Sequence, residues 1–227
     1  MLLSDAKKYI INGKEAKELW LGGNKIWELT TEEAYTTLDY IQTSSSSGGF
    51  DLGFVPTVYT GVEVTIQSST YTSGYNMLWD SGQSFSALVN YRASWGTYYY
   101  DVGFSAGLNG YLCKTTGEST TNPFKNKSTY AIKNRTLYRN GTSTNLTDTT
   151  SSITQPTKTL KILDTNNSSV GNPLIAKIYG CKIYDENDNV IMNWIPVLRG
   201  SDSQPYLYDT INKVFVTSTS PSKLTYA

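Results

Sequence analysis

The sequence predicts an all-β chain, a two-sheet antiparallel sandwich or jelly roll preceded by a small β module. Three observations carry that expectation. No stretch of helical periodicity appears from Leu38 onward, short apolar runs alternate with turn formers, and the 227 residues include 18 tyrosines with abundant Ser and Thr, a strand-favouring composition. A chain of this length suits one sizeable all-β domain with an appendage.

The appendage comes first. Residues 7–29 read "KKYIINGKEAKELWLGGNKIWEL", in which Asn12-Gly13 and Gly22-Gly23 are turn signals between short apolar strands at 9–11, 19–21 and 26–29. These strands form a β-hairpin or meander module over 1–29 that is too small to bury a core alone. Trp20 and Trp27 are therefore expected to dock on something larger, either the chain's own main domain or another subunit. Residues 30–37, "TTEEAYTT", form a polar linker with at most one helical turn.

The main domain spans 38–227. Strands are expected at 38–42, 50–54, 59–67, 76–79, 84–91, 97–104, 111–114, 129–133, 136–139, 159–163, 174–184, 190–197, 206–208, 213–216 and 223–226. The period of two is clearest in 60–67, where Val62, Val64 and Ile66 point one way and Glu63, Thr65 and Gln67 the other. In 174–184 the same rule sets Tyr179, Cys181 and Ile183 on one face and Ile178, Gly180, Lys182 and Tyr184 on the other. Asp185–Asn189, "DENDN", is a five-residue turn, and the strand after it pairs back until Pro196 weakens the ladder. Residues 142–157 read as a polar surface loop.

Composition excludes several functions. With no histidine, the Ser-His-Asp and Cys-His nucleophiles and His-ligated zinc are ruled out. Nineteen basic and nineteen acidic residues cancel, so no basic field is expected to hold nucleic acid. Cys113 and Cys181 lack metal or redox spacing and are expected as two free, buried thiols. Met1, Leu2 and Leu3 are followed at once by Ser4, Asp5, Lys7 and Lys8, so no signal peptide is expected, and no apolar run is long enough for membrane insertion. No cofactor or metal is expected; the acids of the 185–189 turn could hold calcium, but they fit a solvated turn better.

Two stretches mix rings with polar groups as sugar-binding clefts do: "YNMLWDSG" (75–82) and "YRASWGTYYYDVG" (91–103). From them Asp80, Trp95, Tyr98 and Tyr100 are the candidate glycan-binding residues, against the plainer expectation that Trp79, Trp95 and one tyrosine face are core.

The opening "LDYIQTSSSSGGFDLGFVPTVYTGVEVTIQ", the central "LYRNGT" and the closing "IAKIYGCKIYDENDNVIMNWIPVLRGSDSQPYLYDTINKVF" resemble the concanavalin A-like, laminin-G-like domains of bacteriophage tail, fibre and other virion proteins. The N-terminal "NGKEAKELWLGGNKIWE" is similar to small modules of phage structural proteins. The resemblance implies a jelly roll that presents a receptor- or glycan-binding surface, attached to other virion proteins through its N-terminal module, as a homotrimer in a fibre. It implies a virion location after synthesis in the host cytoplasm. The alternative is a purely architectural capsid decoration or head fibre. Laminarinase-type glucanases share the fold and carry an E-x-D-x-x-E series on one strand; the nearest stretch here, from Glu63 to Gln67, keeps one carboxylate, so no enzyme is expected.

Overall fold

The computed structural model describes residues 10–11, 14–15, 18–21, 24–28, 33–43, 48–57, 59–68, 74–81, 86–94, 97–105, 111–114, 124–133, 136–144, 155–164, 166, 172–221 and 224–227. Within 10–28, 74–77, 86–114, 136–137 and 172–173 the description is of the backbone. The chain divides into two compact units, Met1–Ala34 and Tyr35–Ala227.

In the first unit β1 (Ile10–Ile11) pairs with β2 (Lys14–Glu15), and β3 (Glu18–Leu21) with β4 (Asn24–Glu28), all antiparallel. The expected three-strand meander is instead two separate two-stranded sheets. Each turn signal lies between strands that pair with each other, as two-residue turns dictate. Lys14–Glu15 is short and polar, which hid it from pattern reading.

The second unit holds β5 (Tyr35–Thr37), β6 (Ile41–Thr43), β7 (Phe50–Asp51), β8 (Gly61–Gln67), β9 (Gly74–Asp80), β10 (Ser86–Ser94), β11 (Thr97–Ser105), β12 (Tyr111–Lys114), β13 (Ser128–Lys133), β14 (Thr136–Arg139) and β15 (Thr142–Thr144). It continues through β16 (Lys161–Ile162), β17 (Asn172–Pro173), β18 (Lys177–Tyr184), β19 (Val190–Arg199), β20 (Pro205–Asp209), β21 (Val214–Val216) and β22 (Leu224–Tyr226). Among the described residues there is no α-helix.

These strands build two large sheets. A seven-stranded sheet runs β12-β11-β10-β9-β16-β7, with β17 parallel beside β9. An eleven-stranded sheet runs β15-β14-β13-β8-β18-β19-β20-β21, with β5, β6 and β22 at its margins. Every other pairing is antiparallel. Phe50, Leu78, Trp79 and Ile162 from the smaller sheet join Val62, Val64, Ile66, Ile178, Ile183 and Trp194 from the larger in one buried cluster. Two sheets that share one apolar interior have the arrangement of a β-sandwich.

Alternation in β8 is as the sequence predicts: Val62, Val64 and Ile66 are fully buried, and Glu63, Thr65 and Gln67 are half-buried on the opposite face. In β18 it is broken. The register against β8 shifts between Ile178 and Gly180, leaving Tyr179 as an inserted residue. Ile178 therefore joins Cys181 and Ile183 in the core, and Tyr179 moves to the outer face, the reverse of strict period-two reading.

Two other departures have clear causes. The residues expected as linker end in β5, whose Tyr35, Thr36 and Thr37 pair with Arg199, Leu198 and Val197 of β19. On that side β19 changes partner from β18 to β5, and Pro196 sits at the change, its carbonyl accepting from Leu38 N at 3.0 Å. β19 thus runs on to Arg199 instead of ending near its proline. Thr142–Thr144, expected as surface loop, adds β15 to the sheet margin.

Candidate binding face

Of the residues singled out from sequence, Asp80 lies away from the level of Tyr98 and Tyr100. Asp80 closes β9 opposite Ser86, which in turn pairs with Ser105 of β11. Tyr98 and Tyr100 pair with Ala93 and Tyr91, so Tyr100 lies five residues along β11 from the level of Asp80, about 17 Å at the rise of a strand. Asp80 is also committed elsewhere. Only 3% exposed, it accepts from Asn166 N at 2.5 Å through Oδ2, while Asn166 Nδ2 donates to its backbone carbonyl at 2.8 Å. This carboxylate pins the loop after β16, a structural role that sequence spacing could not reveal. Trp95 lies outside the described residues, as do the side chains of Tyr98, Tyr100, Trp20 and Trp27.

The outer face of the larger sheet, opposite the core, gathers a different set. Glu63 stands at its centre on β8. The register places Lys182 of β18 and Ala131 of β13 directly beside it, and Tyr138 of β14 beside Ala131. Lys182 Nζ is 3.3 Å from Glu63 Oε1 and Lys133 Nζ 3.9 Å from Oε2. The Tyr184 hydroxyl donates to Glu63 Oε2 at 3.0 Å, and Lys133 Nζ sits 3.5 Å above the Tyr184 ring. Burial, with the Glu63 carboxylate adding to it, pushes the Tyr184 phenol well above its ordinary pKa, so it remains a neutral donor.

A depression of about 270 Å³ opens here, lined by Glu63, Thr129, Ala131, Lys133, Tyr138, Gly141 and Asp188. That is just below the range of about 300–1,000 Å³ usual for pockets of drug-sized ligands. The single methyl of Ala131 and the absence of a side chain at Gly141 leave the space that their neighbours frame.

Farther along the same face, Thr65 and Thr129 hydroxyls share a hydrogen bond of 2.8 Å. Beyond them the Tyr179 hydroxyl donates to Gln67 Oε1 at 2.8 Å, and its ring centroid is 5.8 Å from that of Tyr40. Lys127 Nζ lies 4.1 Å over the Tyr179 ring and Lys177 Nζ 4.0 Å over the Tyr40 ring. The bulge at Tyr179 is what brings this ring outward.

Chemically, the face offers hydroxyls, ring surfaces, ammonium groups and one central carboxylate. Cys181 takes no part: it is a free thiol in the core whose pKa burial pushes up. In the 185–189 turn, Asp185 accepts from Asn187 N, Asn189 N and Asn189 Nδ2 at 2.9–3.0 Å, so its carboxylate closes the turn. Among the described residues, no group of three or more His, Cys, Asp or Glu side chains is placed to hold a metal ion. Compared with known protein families, curated proteins and solved structures, the chain matches none.

Proposed function

We propose that this chain is a bacteriophage virion structural protein of the tail, baseplate or a fibre, whose larger unit is a laminin-G-like jelly roll presenting a glycan- or receptor-binding surface. The observation that carries the reading is the outer face of the larger sheet, where tyrosine rings, hydroxyls and charged groups are held on rigid strands around a shallow depression. Sugars stack their C–H faces on rings and exchange hydrogen bonds with such groups, so a rigid mixed face binds them with little loss of conformational freedom. The sequence resemblance at 38–227 points the same way. In this reading the N-terminal unit attaches to other virion proteins, and the chain performs no catalysis.

The test is adsorption. A fluorescently labelled full chain is incubated with a panel of bacterial species, and the unlabelled chain is set to compete with virions for the strain that binds. Saturable binding to one host surface, with inhibition of adsorption, is the expected result. A chain that binds no cells and lies in the head in a virion reconstruction would be purely architectural, and the display reading would fail.

A further inference from the structure

We infer that the outer face of the larger sheet binds an anionic glycan, a polymer whose sugars or polyols carry carboxylate or phosphate groups. The inference deepens the display reading above and rests on it.

Charge is the first argument. Over the whole chain basic and acidic residues balance at nineteen each, yet this face carries Lys127, Lys133, Lys177 and Lys182 around Glu63, with Asp188 at the rim of the depression. Lys133 and Lys182 share Glu63. Among the described residues, Lys127 and Lys177 have no carboxylate partner; what each ammonium touches is a tyrosine ring.

The rings supply the second argument, because it separates a neutral sugar from a charged one. The faces of Tyr40, Tyr179 and Tyr184 each have an ammonium 3.5–4.1 Å above the centroid. A neutral sugar would have to displace that cation–π contact to stack, with nothing to offer the lysine in return. An anionic ligand draws the ammonium into a charge-assisted hydrogen bond and uncovers the ring for its own sugar.

Spacing is the third. Lys182 is level with Glu63 and Lys177 with Gln67, four residues along β8, about 13 Å at strand rise. Lysine groups at both ends of that interval fit repeated negative charges on one chain better than a single small acid.

Titrating the full chain by calorimetry with oligogalacturonate, which carries carboxylates, and with poly(glycerol phosphate), which carries phosphodiesters, tells the two sources of charge apart. A neutral oligoglucan and single-stranded DNA are the controls. At least one anionic glycan is expected to bind, more weakly as salt rises. The Lys127→Gln, Lys177→Gln double variant should lose about tenfold in affinity with its melting temperature unchanged. Glu63→Gln, which removes the central negative charge, should bind several-fold more tightly. The inference is overturned if neither anionic glycan binds, if the neutral oligoglucan binds as well, if the double variant equals the parent, or if DNA binds as tightly as the glycan and weakens in parallel. Host-cell binding that survives the double variant would sink this inference while leaving the display reading intact.

Discussion

Tyr184 shows how one side chain serves two neighbours. Its hydroxyl donates to Glu63 at 3.0 Å while its ring carries the Lys133 ammonium, so the carboxylate and both lysines are held in one geometry. Tyr184→Phe keeps the ring and removes the donor. The expected loss is about 0.5–1.5 kcal/mol, read as a lower urea midpoint at unchanged slope. A separate ion pair gives a pH signature. The Asp202 carboxylate is held down to a pKa of about 2, first by its hydrogen bond from Arg199 and then by the Tyr206 hydroxyl at 2.8 Å. Its folded-state pKa lies below the unfolded value of about 3.9, so its contribution is present above that pH and is lost as pH falls toward 2. Asp202→Asn should therefore be less stable than the parent at pH 7, with the gap closing between pH 4 and 2 in paired denaturation curves. A gap that stays constant over that range would show that Asp202 acts by shape and not by charge.

At the level of elements, the approach of β7 to the end of β16 depends on one missing side chain. A methyl on Gly49 would stand 2.5 Å from the Ile162 carbonyl oxygen and closer still to Asp164 Cβ. Both obstacles are short and fixed, and the Gly49 carbonyl also accepts from Thr219 N at 3.0 Å. Gly49→Ala is expected to destabilise by about 1–3 kcal/mol, measured as a drop in thermal midpoint, through overpacking. Nothing in the sequence pattern marks Gly49 as a point of close approach. Strands were readable where apolar residues alternate, as in Val62, Val64 and Ile66, or where β-branched and aromatic residues cluster between turn formers. Tyr35–Thr37 and Thr142–Thr144 were not, because they are strands by virtue of a partner and carry no apolar face. The bulge at Tyr179 left no compositional mark, yet it decides which of Ile178 and Tyr179 is buried. The candidate face was harder still to read. Its members come from β8, β13, β14 and β18, with Tyr40 just before β6 and Lys127 just before β13; β8 showed its outward residues in sequence, but only the register joins Glu63 to Lys182 and Tyr138. Asp80 carried a strong local signal, a carboxylate between a tryptophan and a serine, and its loop partner Asn166 lies 86 residues away.

On the scale of the whole molecule, the two units differ in what can sustain them. Tyr35–Ala227 contains both large sheets and the entire described core, whereas the described residues of Met1–Ala34 form two two-stranded sheets, which are marginal alone in water. The small unit therefore needs a surface to complete it, and the proposal that Trp20 and Trp27 dock on other subunits supplies one. The cut that tests this falls between Ala34 and Tyr35, because Tyr35–Thr37 pairs with β19 and must stay with the larger unit. Removing Met1–Ala34 should leave a chain that unfolds in one cooperative transition and keeps its affinity for host cells, since the candidate face lies wholly in what remains. Sedimentation should then find the full chain as an oligomer, a trimer in the fibre reading, and the truncated chain as a monomer. Should the truncated chain keep the parent's mass, assembly belongs to the sandwich, and the aromatic hairpins serve some other end. If both are monomers, the docking partner is a different virion protein, and mixing the full chain with disassembled virion components would have to recover a complex that the truncated chain cannot form.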